Sequence, residues 1–247
     1  MREIPAAQFR EMLPQVCAAA GDAVYPAAVA AGVQSGRMFA GNSAVLIWHF
    51  CGFAYISGNP DATFLADAAH LMQHSARRML LITDDAEVIS FFAQKRAFSM
   101  SKRLYFRAAS APEIPAPAGF TLRRIDAALF PRVQGRIVPA FSWETAEQFL
   151  ANGFGWCLMD GETVAATAFS AAVAADAADI GIETAEAYRR KGLAKAAAAA
   201  VMREAVSRGK MPVWACHEAN IGSQKTAQAL GFQHIRTCTA IQRQECI

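Results

Sequence analysis

Charged residues are scarce in this 247-residue chain: they make up 18% of it, whereas 54% of the residues are hydrophobic. So little charge beside so much apolar surface excludes the composition of a disordered protein. Long apolar runs are also missing, because Asp, Pro, Arg or Lys interrupts every alanine-rich stretch well before the roughly 18 residues that span a bilayer. The composition therefore predicts a globular protein with a substantial core, no transmembrane helix and no membrane partner.

A strong charge bias and metal-ligand motifs are absent as well. The net charge is only +3 and the basic residues are scattered, which argues against nucleic acid as a partner. The six cysteines form no C-x-x-C pair, so neither a metal site nor a disulfide framework is expected. The first residues lack the basic and apolar segments of a secretory signal, and we expect a cytoplasmic protein.

One proline-rich segment divides the sequence. Ala108–Gly119 reads AASAPEIPAPAG and contains three of the ten prolines, which remove backbone donors that a helix or strand needs. We therefore predict an N-terminal α/β domain over residues 1–110 and a second domain over residues 119–247.

Both halves show alternating helix and strand patterns. In the first half, strands are expected at Arg37–Ala40 and Val45–Ile56, joined by a Gly41-Asn42 turn. Further elements follow the apolar periodicity: helix Leu65–Arg78, strand Met79–Thr83, helix Ala86–Lys95 and strand Met100–Arg107. In the second half we expect strands Phe120–Arg124, Trp156–Met159, Val164–Ala174, Asp179–Thr184 and Met211–Cys216, and helices Trp143–Ala151, Gly192–Ser207 and Ser223–Leu230. Phe232–Gln242 is expected to close the fold as a final strand or hairpin. The similar endings of the halves leave two explanations open, an internal duplication or the generic rhythm of α/β segments.

The most informative stretch is Asp179–Ser207. A strand, Asp-Ile-Gly-Ile-Glu-Thr, precedes Tyr-Arg-Arg-Lys-Gly-Leu-Ala at the start of a long helix. Glycine at position 192 lets the backbone approach a ligand, and the unpaired amides at a helix start favour an anion. Arg189, Arg190 and Lys191 add positive charge where a first helical turn usually carries acids. The segment predicts a site for two phosphates, with a basic, solvated turn as the alternative.

This stretch resembles the GNAT acetyltransferase superfamily, in which a Q/R-x-x-G-x-G/A loop after the fourth strand binds the acyl-CoA pyrophosphate. Arg189, Gly192 and Ala194 fit that pattern. The later strand and the Ala-Leu-Gly-Phe that ends at Phe232 also resemble the close of the family's fold. The resemblance covers Phe120–Gln242 well and the N-terminal half only loosely.

The resemblance implies a fold of the α/β (α+β) class: a GNAT-fold mixed, mostly antiparallel sheet flanked by helices, with a smaller GNAT-like N-terminal α/β domain. It implies a V-shaped opening between the fourth strand, Ile180–Thr184, and the fifth, Val213–Cys216. Acetyl-CoA is the implied cosubstrate, with no metal. The implied contacts are Ile182, Thr184, Arg189, Arg190, Lys191, Gly192, Leu193 and Ala194, with Asn220 and Lys225 as secondary contacts. Asn220 is equally well explained as a turn residue.

Acyl transfer to an amine needs a base, because an alkylammonium with a pKa of about 10.4 is mostly protonated at neutral pH. Glu183 is the first candidate if it faces the opening, and a surface glutamate is the alternative. His217 and Glu218 are the next candidates. The family's usual proton donor, a tyrosine four residues before the glycine of the LGF close, is replaced by Ala227.

Ser223 is the candidate substitute donor, although it also fits as the N-cap of its helix. The N-terminal half has an acidic segment, Asp61–Asp67, in place of a glycine loop, and is not expected to bind CoA. We instead expect it to form a wall of the acceptor pocket, through Trp48, His49, Phe53 and Tyr55, with core packing as the alternative.

The predicted function is an N-acyltransferase that moves an acetyl group from acetyl-CoA to a small-molecule amine or a peptide amino group by direct attack. A catalytically inactive, acyl-CoA-binding regulatory module is the alternative, and an oligomer is possible.

Overall fold

The structure, a computed structural model, describes residues 1–20 and 24–244, without the side chains of residues 18–20. It divides into two compact units. The first contains Met1–Leu104 and the residues from Arg236 onward, and the second contains Tyr105–Ile235. Of the six cysteines considered above, Cys246 lies outside the described residues.

Over its described residues, the first unit combines a mixed, mostly antiparallel sheet with four α-helices and one 3-10 helix. Its strands are β1 (Arg2–Ile4), β2 (Gly36–Ala40), β3 (Ala44–His49), β4 (Phe53–Gly58), β5 (Leu80–Thr83) and the first part of β6 (Phe98–Arg107). A 3-10 helix (Ala6–Met12) precedes α1 (Leu13–Ala20) and α2 (Val24–Ala30), and the later helices are α3 (Ala62–His74) and α4 (Ala86–Ala93). Strands β2, β3 and β4 pair antiparallel, whereas β4 and β5 pair in parallel over only two positions.

The single strand expected over Val45–Ile56 is wrong, because the chain reverses between β3 and β4. Gly52 adopts a φ of 94°, which favours glycine, and its N–H donates to the carbonyl of His49 at 2.9 Å. The residues on both sides of this turn are apolar. A run that is apolar apart from His49 and Gly52 therefore hid the turn from the sequence pattern.

The second unit is built on a mixed sheet in the order β11-β10-β9-β8-β7. Its strands are β7 (Thr121–Arg124), β8 (Gly155–Asp160), β9 (Thr163–Val173), β10 (Ala177–Thr184) and β11 (Met211–His217), followed by β12 (Gln233–Arg243), whose later part belongs to the first unit. Its helices are α5 (Pro139–Ser142), α6 (Ala146–Asn152), α7 (Leu193–Ser207) and α8 (Ile221–Ala229), with 3-10 helices at Phe130–Arg132 and Glu186–Tyr188. Residues 108–119 form no helix or strand.

The order of elements is the same in the two halves of the sequence. From β1 to β6 the chain runs strand, 3-10 helix, two helices, three strands, helix, strand, helix and strand. From β7 to β12 the order repeats, with one additional 3-10 helix before α7. The final strand then joins the first unit, where β12 pairs antiparallel with β5. The predicted domains, residues 1–110 and 119–247, do not include this placement of the last strand in the first unit. These domain bounds stay a prediction.

Four aromatic or imidazole side chains considered as pocket walls lie inside the first unit instead. Trp48, His49, Phe53 and Tyr55 are 2%, 0%, 5% and 5% exposed. Trp48 packs in one apolar cluster with residues of β3, α3 and α4. Core packing, the alternative, therefore accounts for these residues.

His49 is a buried titratable group in this core. Its Nδ1 accepts the backbone N–H of Cys51 at 3.1 Å, and its ring meets Tyr25 edge-on at 4.9 Å. Burial, helped by the charge of Arg77, lowers the pKa of His49 from 6.5 to about 3. The folded protein therefore keeps this ring neutral where the unfolded chain would protonate it.

This difference predicts an acid-dependent loss of stability. The contribution is fully present above pH 6.5 and is lost as the pH falls toward 3, at about 1.4 kcal/mol per pH unit. Between pH 6.5 and 5, the free energy of unfolding should fall by roughly 2 kcal/mol more in the wild type than in His49→Asn. Asparagine keeps an acceptor near Nδ1 but does not titrate. Denaturant unfolding at both pH values measures the difference.

An equal pH dependence in the wild type and His49→Asn would contradict the assignment.

Candidate active site

Strands β10 and β11 separate soon after they meet. They pair in parallel from Ala177 and Met211 to Asp179 and Val213, three positions in all. Beyond that point β10 stays paired with β9 as far as Thr184. One edge of Ile180–Thr184 is therefore open, and this is the V-shaped opening that the resemblance implies.

The backbone of β10 presents specific groups to this open edge. The N–H of Ala185, just after the strand, donates to the carbonyl of Ala165 at 3.0 Å, on the β9 side. In an antiparallel pair, successive residues direct their backbone groups to opposite sides. The N–H and C=O groups of Ile182 and Thr184 therefore face the open edge, where a ligand can pair with them as an added strand would.

The start of α7 carries a set of unused donors. Gly192 is the N-cap with φ 79°, and Arg190 also has a positive φ, 65°. Within the described chain, the N–H groups of residues 190–194 donate to no acceptor; the first helical bond runs from Lys195 N–H to the Gly192 carbonyl at 3.1 Å. A Cβ at position 192 would have no atom within 4 Å. The positive end of the helix dipole is thus open to solvent and suited to an anion.

The basic residues of the sequence motif directly precede this helix start. Arg189, Arg190 and Lys191 are all exposed, and Lys191 Nζ lies 5.1 Å from the centroid of the Tyr188 ring. Three exposed positive charges therefore lie within four residues of Leu193, the first residue of α7.

Tyr188 anchors the turn that precedes these amides, a role that the sequence alone did not show. Its hydroxyl donates to Asp160 Oδ2 at 2.9 Å, and this hydrogen bond raises the pKa of Tyr188. Its ring also meets Phe120 edge-on. The turn is therefore fixed to β8 and to the start of β7 by side-chain contacts.

Glu183 is half-buried on β10, and one of its oxygens is already engaged. Oε2 accepts the backbone N–H of Ile137 at 2.9 Å and that of Arg136 at 3.2 Å. Oε1 is the oxygen left for an incoming group. Of the other candidate bases, His217 and Glu218 are exposed, and His217 Nδ1 accepts the N–H of Ala219 at 3.0 Å.

The structure corrects the roles of two residues at the start of α8. Ser223 is not the N-cap; Asn220 is, because its Oδ1 accepts the N–H of Ser223 at 3.1 Å. Asn220 is therefore more than a plain turn residue. The Ser223 hydroxyl instead accepts the indole N–H of the buried Trp214 at 2.9 Å, which leaves its own proton free to be donated. Lys225 lies exposed on the same helix.

The sequence profile of the GNAT acetyltransferase family matches residues 16–241. The chain belongs to the GNAT acetyltransferase family. The predicted GNAT fold, a mixed sheet flanked by helices, is thereby confirmed together with the structural matches below. Family and fold support acyl transfer as the general reaction.

One relative and two solved structures illustrate the similarity. The uncharacterized N-acetyltransferase YdfB of Bacillus subtilis (strain 168) is 29% identical over 125 residues, 50% of this chain and 48% of that protein. The match thus spans about half the length of this curated relative. A GCN5-related N-acetyltransferase-like protein from Streptococcus suis superposes with a TM-score of 0.75 at 19% identity, covering 97% of this chain and 100% of that one. A GNAT-family acetyltransferase from Colwellia psychrerythraea gives 0.63 at 10% identity, with 98% and 99% covered.

Two further properties bear on the site. Among residues 1–20 and 24–244, no cluster of three or more His, Cys, Asp or Glu side chains is arranged to hold a metal ion. Within the same ranges, no helix has the length and apolar character to cross a membrane.

The contact between Trp214 and Ser223 predicts a measurable coupling. Ser223→Ala leaves the indole N–H, in a residue that is 1% exposed, without its acceptor, and should cost about 1–3 kcal/mol of unfolding free energy. In a Trp214→Phe background the same substitution should cost much less. A double-mutant cycle by urea unfolding measures the coupling, and equal costs in both backgrounds would contradict the hydrogen bond.

Proposed function

We propose that this protein is an N-acyltransferase that transfers an acetyl group from acetyl-CoA to an amine, either a small molecule or a peptide amino group, by direct attack. The observation that carries the proposal is the row of unused amides at residues 190–194, which opens at the positive end of α7. No other arrangement described above combines this anion site with an open strand edge beside it.

The two features fit the two parts of an acyl-CoA. The amides of residues 190–194 would hold the diphosphate, with Arg189 and Lys191 supplying charge. The backbone groups of Ile182 and Thr184 would bond the pantetheine amides along β10. Lys225 and the Nδ2 of Asn220 remain as secondary contacts from α8.

The remaining side chains suit the transfer step. Oε1 of Glu183 would take a proton from the ammonium form of the acceptor, directly or through water. The neutral amine then attacks the thioester carbon, the carbon–sulfur bond breaks, and the thiolate leaves. The attacking nitrogen would give up its second proton to the Ser223 oxygen, directly or through water, as the Ser223 hydroxyl proton goes to the sulfur, so that the products are a neutral amide and the CoA thiol. Ser223 would return a proton to the sulfur, since its hydroxyl accepts from Trp214 and can donate.

The second candidate function is an acyl-CoA-binding regulatory module without transfer activity. Two observations favour it. The fully buried Ala227 stands where the family usually has tyrosine. One of the two carboxylate oxygens of Glu183 is already bonded to backbone amides. This candidate shares the acyl-CoA site and differs only in turnover.

Gly192→Glu tests the binding site that both candidates share. A carboxylate at the amides would repel the diphosphate, and the positive φ would disfavour the side chain. We expect acetyl-CoA affinity, measured by calorimetry, to fall by at least about 100-fold, equivalent to about 2.7 kcal/mol.

Gly209 is the matched control, because it has φ 69° and open space around its Cβ position at the other end of the same helix. Gly209→Glu should bind acetyl-CoA like the wild type. Unchanged affinity in Gly192→Glu would remove the site from this helix start.

Glu183→Gln separates the enzyme from the binding module. Loss of the base should lower kcat for acetyl transfer by roughly 10²- to 10⁴-fold, while acetyl-CoA affinity stays within a factor of about two of the wild type. Free-thiol release over polyamines, amino acids, aminoglycosides and peptides measures the rate. If the wild type binds acetyl-CoA but releases no thiol with any amine, the binding module is the better description.

A further inference from the structure

The loop between the 3-10 helix Phe130–Arg132 and α5 is fixed at three points. Val133 and Val138, at its two ends, are 7% and 9% exposed and packed into the unit. Gln134–Arg136, at its tip, are exposed. The tip is attached by the carboxylate of Glu183, which accepts the N–H groups of Arg136 and Ile137.

Gly135 shapes the loop around this carboxylate. Its φ is 136°, and a Cβ built there would lie 2.6 Å from Cγ and 3.2 Å from Cδ of Glu183. Any larger residue would displace either the loop or the carboxylate. The glycine therefore serves both the backbone conformation and the close approach of the glutamate side chain.

The attachment lies at the rim of the V-shaped opening. Glu183 stands between Ile182 and Thr184, whose backbone groups face the open edge, and neighbouring strand residues are only about 3.3 Å apart. A carboxylate bonded to amide donors forms stronger hydrogen bonds than a neutral acceptor does. The loop tip is thus held, by a charge-assisted contact, next to the strand that would carry the acyl donor.

We propose that Glu183 is a positioning residue that holds the loop tip, residues 134–137, at the rim of the opening and thereby sets how the acceptor amine meets the acyl group. The inference rests on the proposed acyl-transfer function of this opening. It concerns Oε2, whereas the base chemistry considered above concerns Oε1, so the two roles can be separated.

Gly135→Ala disturbs the attachment while the carboxylate remains. The matched control is Gly119→Ala, where φ is 85° and no atom lies within 4 Å of the Cβ position. We expect Gly135→Ala to raise the KM for the acceptor by about tenfold with a smaller change in kcat. Acetyl-CoA affinity by calorimetry should stay unchanged, and Gly119→Ala should behave as the wild type. Equal kinetics in the two variants would overturn the proposal.

Hydrogen–deuterium exchange at the amides of Arg136 and Ile137 tests the attachment without any need for activity. Glu183→Gln keeps an oxygen that can accept both N–H groups, whereas Glu183→Ala removes it. We expect exchange to be about tenfold faster in Glu183→Ala, and to lie between that rate and the wild-type rate in Glu183→Gln, whose neutral oxygen is a weaker acceptor. Exchange that is unchanged in Glu183→Ala would overturn the proposal.

The two readouts distinguish failure of this inference from failure of the proposed function. If the wild type neither binds acetyl-CoA nor releases thiol, the acyl-transfer function fails, and the positioning of the acceptor fails with it even if exchange shows the attachment. If transfer occurs but the exchange and KM results are negative, only the positioning role fails.

Discussion

The early separation of β10 from β11 is the constraint on which the candidate site depends. Two neighbouring parallel strands need a crossover connection. The helix α7 provides this connection from β10 to β11, and it packs against the face formed by β8, β9, β10 and β11. The helix begins shortly after β10 ends, so its amino terminus lies at the end of the strand where the opening is. One topological feature therefore provides both the exposed strand edge and the anion-binding helix start.

The first unit has the same arrangement of two parallel strands and a crossover helix, but the start of its helix differs. There β4 and β5 also pair over only two parallel positions, with α3 as the crossover. The N-cap of α3 is Asp61, whose carboxylate accepts the N–H of Phe64 at 2.7 Å. A fixed negative charge satisfies a donor that a phosphate would otherwise use, and it repels anions. This is the physical basis for expecting no CoA at this helix.

The sequence best predicts the structural features that depend on residues close together along the chain. The sequence predicts the long helix over Gly192–Ser207, and the structure has it over Leu193–Ser207. The prediction succeeds because alanine favours a helix and glycine favours its start through the conformation of their own backbone. The turn at Gly52 was missed because apolar residues surround it. The start of α8 was assigned to Ser223 rather than Asn220, since both residue types are good caps. The contact of Glu183 with residues 136 and 137 joins positions 46 and 47 apart, and no local pattern encodes such a contact.

The proposed function depends on the amides of residues 190–194 as a diphosphate site. Amide NMR chemical shifts, followed while a ligand is titrated into the protein, test this site directly. CoA and pantetheine, which lacks the diphosphate, are the two probes. The account predicts that CoA shifts the amide signals of Arg190 to Ala194 strongly, whereas pantetheine leaves them in place and affects only residues along β10. Saturable CoA binding that leaves these five signals unmoved, or no CoA binding at all, would contradict it.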